Sequence, residues 1–263
     1  MSAPVIEFDP NIFTLGPLQV RWYGMMYVVG FVLANFLLKK LVERGFFKVA
    51  KEQIDALITI MFVCMFIGAR LAYVFIYNWG YYQNHIGELF AVWKGGLSFH
   101  GALAGLLVGG YIFAKKNGIS WAQVMDNVAL AGAPGLFFGR MGNFINGELY
   151  GRVTDSAFGM IFPAGGPYAR HPSQLYEGVL EGILLSGILW MLLPRVKHYG
   201  YLAATFLAGY GVFRYIVEFF REPDAQLGYY FGGTTTMGQI LCMIMVLVGV
   251  AAMVMAKQKK LEN

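Results

Sequence analysis

Apolar residues run along this chain in seven stretches, 20–41, 55–77, 97–115, 121–141, 174–193, 200–220 and 236–256. Each approaches the roughly 20 residues that carry a helix across a bilayer core. The third and fourth are rich in glycine rather than uniformly greasy. Polar and charged residues collect between the stretches. The pattern predicts an all-α, polytopic membrane protein of seven transmembrane helices. No internal repeat divides it, so 1–263 reads as a single transmembrane domain.

The ends and the connections add detail. Residues 1–19 carry Pro4, Pro10 and Pro17 with Glu7 and Asp9, and no basic n-region, so no cleavable signal is evident and the segment reads as an interfacial or outer arm. Residues 142–173 read as an excursion on the same outer side. Gly101, Gly105 and Gly109 recur every four residues, as do Ala131, Gly135 and Gly139. Small residues at that spacing let helix backbones approach closely in lipid.

Composition agrees with the pattern. The chain is 57% hydrophobic and 13% charged, with a mean hydropathy of +0.55, against about 25% charged in soluble domains. The net charge of +5 does not imply nucleic acid, because the basic residues sort by loop. Twelve of the twenty Lys and Arg follow the first, third, fifth and seventh stretches. Basic short loops stay cytoplasmic, which places the N-terminus outside, in the periplasm, and the C-terminus in the cytoplasm.

The other eight escape that rule: Arg21, Arg70, Lys94, Arg140, Arg152, Arg170, Arg214 and Arg221. Seven are arginine, whose planar fork grips phosphate bidentately and is never deprotonated. An outer-leaflet arginine cluster suits a lipid phosphate. Cys64 and Cys242 lie in apolar runs and read as inert structural thiols. The four histidines are scattered, so no metal set emerges, and no phosphate loop or dinucleotide fingerprint is present.

Charges at membrane depth are expensive and mark functional cavities. The densest case is GRMGNFINGELYG, 139–151, with Arg140, Asn143, Asn146 and Glu148. A helix-end ion pair is the bland reading. An anion-binding arginine beside two amides and a carboxylate is the functional one. Asn146-Gly147 is a turn signal that ends the helix nearby. Tyr210, Arg214, Glu218 and Arg221 share one helical stripe at spacings of 4, 4 and 3. A local Arg214–Glu218 pair is the bland alternative there.

His100, in WKGGLSFHGALAG, titrates near neutrality and suits a general base, or else a hydrogen-bonded core position. Ser98 lacks the elbow of a serine nucleophile. In RWYG, Trp22 reads as an interfacial anchor and Tyr23 as a residue able to face inward. In RHPSQLYE, Pro172 suits a helix start, and His171 and Glu177 are either catalytic or part of the helix entry.

These segments resemble the bacterial phosphatidylglycerol–prolipoprotein diacylglyceryl transferases. GRMGNFINGELYG is similar to that family's signature, and RWYG, GGLSFHG, RHPSQLYE, YGVFRYIVEFFREPDAQLG and TMGQIL extend the resemblance along nearly the whole chain. The connection 152–169 is shorter than in some relatives. The resemblance implies transfer of the diacylglyceryl group of phosphatidylglycerol to the lipobox cysteine of a prolipoprotein, with release of glycerol 1-phosphate. That is the first step of lipoprotein maturation, in the bacterial inner membrane.

It further implies essential positions at Tyr23, His100, Arg140, Asn143, Glu148, Gly151, Tyr210 and Arg214. On that reading Arg140 and Arg214 clamp phosphate. Asn143, Asn146, Gly151 and Tyr210 bind substrate. Tyr23 donates a hydrogen bond or shapes the pocket. His100, or alternatively Glu148, takes the thiol proton. Partners are then phosphatidylglycerol, prolipoproteins and membrane lipids, with no cofactor, metal or nucleic acid. A lipid transporter or flippase and a membrane scaffold are the competing classes.

Overall fold

A computed structural model describes residues 3–15, 18–222, 229–230 and 235–258. The chain separates into two compact units, one of Leu38–Asn127 and one of Met1–Leu37 with Val128–Asn263.

Each of the seven apolar stretches coincides with a helical run. They are α1 (Trp22–Glu43), α2 (Gln53–Ala72), α4 (Phe99–Asn117), α5 (Trp121–Ile145), the composite run Ser173–Arg195, α8 (Tyr201–Glu218) and α9 (Met237–Gln258). Helix α2 continues through a π-helical turn, Tyr73–Tyr77, and is followed by the short α3 (Trp79–Tyr82). The composite run consists of α6 (Ser173–Glu177), a π-helical stretch Gly178–Leu184, α7 (Leu185–Leu192) and a last tight turn.

Four of these runs are long and apolar enough to cross a membrane: Trp22–Glu43, Gln53–Tyr77, Ser173–Arg195 and Met237–Lys257. Only 17% of the apolar window of α1 is buried within the protein. Val28, Val32 and Phe36 stand exposed on it. Such a surface is stable against lipid and not against water. The chain is therefore a mostly helical, multi-pass membrane protein.

The all-α expectation needs one correction. Three antiparallel strand pairs lie between the helices: β1 (Asn11–Leu15) with β2 (Leu18–Arg21), β3 (Met160–Ile161) with β4 (Ala169–Arg170), and β5 (Tyr229–Tyr230) with β6 (Thr235–Thr236). The first replaces part of the expected arm. Pro10 and Pro17 keep that segment out of a helix, and the alternation of polar and apolar residues through Phe13, Thr14 and Leu15 suits a strand.

In the unit Leu38–Asn127, α2 and α4 pack through their backbones. Side-chain carbons added at Gly101, Gly105 and Gly109 would run into Gly68, Cys64 and Met61 of α2. The glycine stripe seen in the sequence is thus the contact face. Leu41, Phe47, Ile54, Leu57 and Phe113 fill the core beneath it. Ser98 caps α4, its hydroxyl accepting from the Gly101 N–H at 3.2 Å, and Gly118 closes the helix at φ +64°.

In the other unit, Gly182 lies against the backbone of Phe137 on α5, and Gly211 and Gly249 let α8 and α9 meet closely. Gly135 stands opposite Gly30 of α1, while Gly139, the last member of the second small-residue stripe, has open space before it.

Candidate active site

Three helical runs bring charges together inside the second unit. Arg140, near the end of α5, reaches Glu177 at the end of α6, Nη2 to Oε2 2.6 Å. Arg214 on α8 reaches the other oxygen of the same carboxylate, Nη1 to Oε1 2.8 Å. Glu177 therefore bridges two guanidiniums, one oxygen to each. Glu181, one turn further on, faces the same pair at 3.6 and 4.0 Å. Glu218, four residues past Arg214, meets its other Nη at 3.2 Å.

The local sequence dictates this convergence. Gly178 and Gly182 carry no side chains to hold α5 away, so the carboxylates at 177 and 181 reach Arg140. Gly238 makes room for Glu218 in the same way. The Thr236 hydroxyl donates to Glu218 Oε1 at 2.9 Å. Thr236 and Gln239 also exchange reciprocal bonds of 3.0 and 3.1 Å, a capping box that fixes the start of α9. Tyr210 lies one turn before Arg214 on α8. Buried charges persist only when paired, and Glu177 is 1% exposed.

Glu148 stands apart from that pairing. The helix ends at Ile145 and the chain turns through Gly147 at φ +64° and Leu149 at φ +57°. The turn folds the Glu148 carboxylate back onto its own loop, where Oε1 accepts from Asn143 Nδ2 at 2.8 Å and Asn146 Nδ2 at 3.2 Å. Gln174 Nε2 donates to the Glu148 carbonyl at 2.7 Å and Ser173 Oγ to the Leu149 carbonyl at 3.0 Å. The turn is thereby pinned to the start of α6. The sequence grouped Arg140 with both amides and Glu148, but the ion-pair partners of Arg140 are Glu177 and Glu181.

Tyr23 of α1 packs on α5 at Gly142, between Arg140 and Asn143 in the chain. Gly142 allows this approach: a side-chain carbon there would lie 2.9 Å from the Tyr23 ring. The Tyr23 hydroxyl pairs with that of Tyr27 at 3.0 Å. His100 belongs to the unit Leu38–Asn127, on the first turn of α4, exposed, with Nδ1 2.9 Å from the Tyr77 hydroxyl.

Gly151 holds the loop after α5 to the end of α8. Its N–H donates to the His171 carbonyl at 2.8 Å, and Arg152 N–H donates to the Phe220 carbonyl at 2.9 Å. A side-chain carbon at 151 would collide with the Phe220 carbonyl and with His171. The Arg152 Nε donates to the Arg221 carbonyl at 2.8 Å and its Nη2 to that of Glu218 at 3.4 Å, a cation set at a helix C-terminus. His171 packs on Tyr176 and Phe220, and burial holds its imidazole below the ordinary histidine value. It belongs to the helix entry.

Comparison with known proteins gives this arrangement a family. Residues 10–255 match the sequence model of the family described as prolipoprotein diacylglyceryl transferase. Proteins named phosphatidylglycerol–prolipoprotein diacylglyceryl transferase are similar throughout. That of Mannheimia succiniciproducens is 48% identical over 97% of this chain and 95% of its own length. That of Vibrio atlanticus is 47% identical over 98% and 96%, and that of Nitratidesulfovibrio vulgaris strain DP4 44% identical over 92% of each. The chain belongs to the prolipoprotein diacylglyceryl transferase family.

Within this family member the expected outer arginine cluster shrinks. Arg70, Arg152 and Arg170 direct their forks mainly at backbone carbonyls. Arg70 donates to the carbonyls of Glu88, Leu89, Gly95 and Gly96 and to the Tyr82 hydroxyl. Arg170 donates to Gly151 and Gly165, pairs with Glu222 at 2.9 Å and covers the Tyr150 ring. Arg21 is bonded to Gln19. Arg140 and Arg214 remain as the converging pair. Sequence reasoning missed Glu181 and Gln174 altogether and left Glu177 undecided. A glutamate inside the apolar run GVLEGILL was the signal for Glu181.

Proposed function

We propose that this chain transfers the diacylglyceryl group of phosphatidylglycerol to the thiol of a prolipoprotein lipobox cysteine. The observation that carries the reading is the bridged arginine pair. Two guanidiniums 2.6 and 2.8 Å from the two oxygens of one carboxylate are spaced to hold the two free oxygens of a phosphodiester. The names of relatives that match from end to end supply the substrates.

In the reaction the substrate's sulfur attacks the glycerol carbon that bears the phosphate. The carbon–oxygen bond breaks, the thioether forms and glycerol 1-phosphate leaves. Arg140 and Arg214 stabilise the charge that develops on the phosphate, which a preorganised, dry site does far better than water. Asn143 and Asn146 orient the headgroup near Glu148. Tyr210 and Tyr23 donate hydrogen bonds beside it, and Gly151 keeps the outer loop closed on α8.

His100 accepts the thiol proton. Its Nδ1 faces Tyr77, which leaves Nε2 as the accepting nitrogen. Glu148, already bonded to two amides, is the alternative base. The nucleophile comes from the substrate, in keeping with Cys64 and Cys242 lying in apolar helices.

The same reading sets the topology. All seven helical runs cross the bacterial inner membrane, the N-terminus and the 142–173 excursion face the periplasm, and the C-terminus faces the cytoplasm. The family match runs through both units, as befits one transmembrane domain. A flippase or a scaffold has no comparable support, since the relatives are named as transferases. The test is mass spectrometry of a lipobox peptide incubated with purified protein and phosphatidylglycerol. A diacylglyceryl mass gain on the cysteine is expected. Folded protein that binds the lipid and leaves the peptide unchanged would overturn the transferase reading.

A further inference from the structure

The cluster around Arg214 contains more carboxylates than cations. Arg140 and Arg214 face Glu177, Glu181 and Glu218. If all five were ionised, one negative charge would be left over among side chains that are no more than 21% exposed. An uncompensated charge in such a place costs several kcal/mol even after relaxation. A carboxyl group avoids that cost by keeping its proton.

The three carboxylates are not equivalent. Glu177 touches both guanidiniums at 2.6 and 2.8 Å. Glu218 has Arg214 at 3.2 Å and a hydroxyl donor, Thr236, at 2.9 Å. Glu181 is 0% exposed, and its nearest cations lie at 3.6 and 4.0 Å, beyond hydrogen-bonding contact. Neither Glu181 nor Glu177 receives a hydrogen bond from the described residues, so the two differ in their distance from the guanidiniums, and Glu181 is the farther. Of the three, it gains least from being charged.

Among the described residues no other ion pair brings a further cation to these carboxylates. From α5 comes Arg140 alone, and Tyr23 of α1 packs against α5 at Gly142. From α8 come Tyr210, Arg214 and Glu218, and from α9 the neutral Thr236 and the Cys242 thiol. Arg152 approaches from the loop after α5, but its fork is set on the carbonyls of Glu218 and Arg221. Those carbonyls form the negative end of α8.

We propose that Glu181 is held as a neutral carboxylic acid and acts as a positioning residue. It leaves Glu177 as the single anion bridging the arginine pair and keeps the site electrically balanced for an incoming phosphate. This rests on the reading of Arg140 and Arg214 as the phosphate clamp. Removing the Glu181 proton would place a second anion behind the clamp and repel the lipid. Affinity for phosphatidylglycerol would then fall as pH rises.

The experiment measures KM for phosphatidylglycerol and kcat against pH in nanodiscs, for the wild type, Glu181→Gln, Cys242→Ala and Arg140→Ala. The wild type and Cys242→Ala should show KM rising several-fold on the alkaline side. Glu181→Gln, which mimics the neutral acid, should abolish that rise in KM. The proposal is overturned if the rise survives in Glu181→Gln, or if it vanishes in Cys242→Ala. It also fails if Glu181→Gln is folded and loses turnover at every pH. An Arg140→Ala protein with unchanged KM would instead sink the clamp reading.

Infrared difference spectra of the wild type between neutral and alkaline pH give a readout that needs no variant to fold. A carboxylic-acid carbonyl band that disappears on the alkaline side is expected. Its absence at neutral pH would overturn the proposal.

Discussion

Arg214 offers the sharpest test, because its fork serves two carboxylates at once. Nη1 lies 2.8 Å from Glu177 and Nη2 3.2 Å from Glu218. Arg214→Gln leaves both buried carboxylates short of a cation. Orphaning one side of a buried pair costs about 3–5 kcal/mol, a large share of the ~5–15 kcal/mol that holds a domain together. Loss of a preorganised donor to the developing phosphate lowers kcat by about 10²–10³-fold. Both effects arise from one substitution and must be separated. Glu177 keeps Arg140 at 2.6 Å, whereas Arg214 is the cation paired with Glu218, so adding Glu218→Gln removes the orphaned charge, and thermal unfolding followed by tryptophan fluorescence should recover by more than half. Thioether formation should not recover, because the phosphate ligand is still missing. Recovery of both in the double variant would refute the clamp and make Arg214 purely structural.

Three further outcomes follow from named contacts. His100→Gln should lower kcat by at least about 10²-fold, the usual share of a general base, with Tyr77→Phe a milder few-fold loss; retained turnover in purified membranes would remove His100 from the base role. Gly151→Ala forces apart the backbone bonds to His171 and Phe220 and should cost about 1–3 kcal/mol of stability together with activity; wild-type unfolding and turnover would show that the loop yields freely. Arg70→Met strips the donors from four carbonyls and should expose the 78–98 connection to limited proteolysis, whereas an unchanged cleavage pattern would mean that the connection holds without it.

Much of the architecture was legible because lipid leaves the sequence little freedom. A spanning helix must be about 20 residues of mostly apolar character, and all seven helical runs could be marked, although among the described residues four are long and apolar enough to cross a membrane. The strand pairs were not legible. Two of the three have only two residues per strand, too short for a period to register. The site was half legible. Arg140 and Arg214 stood out as charges within apolar runs, but their partner Glu177 sits at a helix entry, where a glutamate has several ordinary uses. Arg70, Arg152 and Arg170 misled for a physical reason. A loop lined with carbonyl oxygens and a phosphate both call for the same planar fork, and residue type alone cannot say which is present.

The pairing of the arginines with Glu177 bears directly on catalysis. A clamp that must fold within a membrane cannot leave two guanidiniums bare, so the chain carries its own anion between them. A lipid phosphodiester carries one negative charge and has to displace that carboxylate, which weakens ground-state binding. As the carbon–oxygen bond breaks, the departing phosphate gains a second charge and competes better for the same two cations. On the clamp reading proposed above, displacing the resident carboxylate weakens substrate and transition state alike, and the second charge gained by the departing phosphate makes the two cations hold the transition state more tightly, the difference that accelerates a chemical step. Lysine at 140 or 214 would supply the charge without the geometry. A single ammonium cannot hold Glu177 and Glu218 together as Arg214 does, nor pass from carboxylate to phosphate without letting go of one partner.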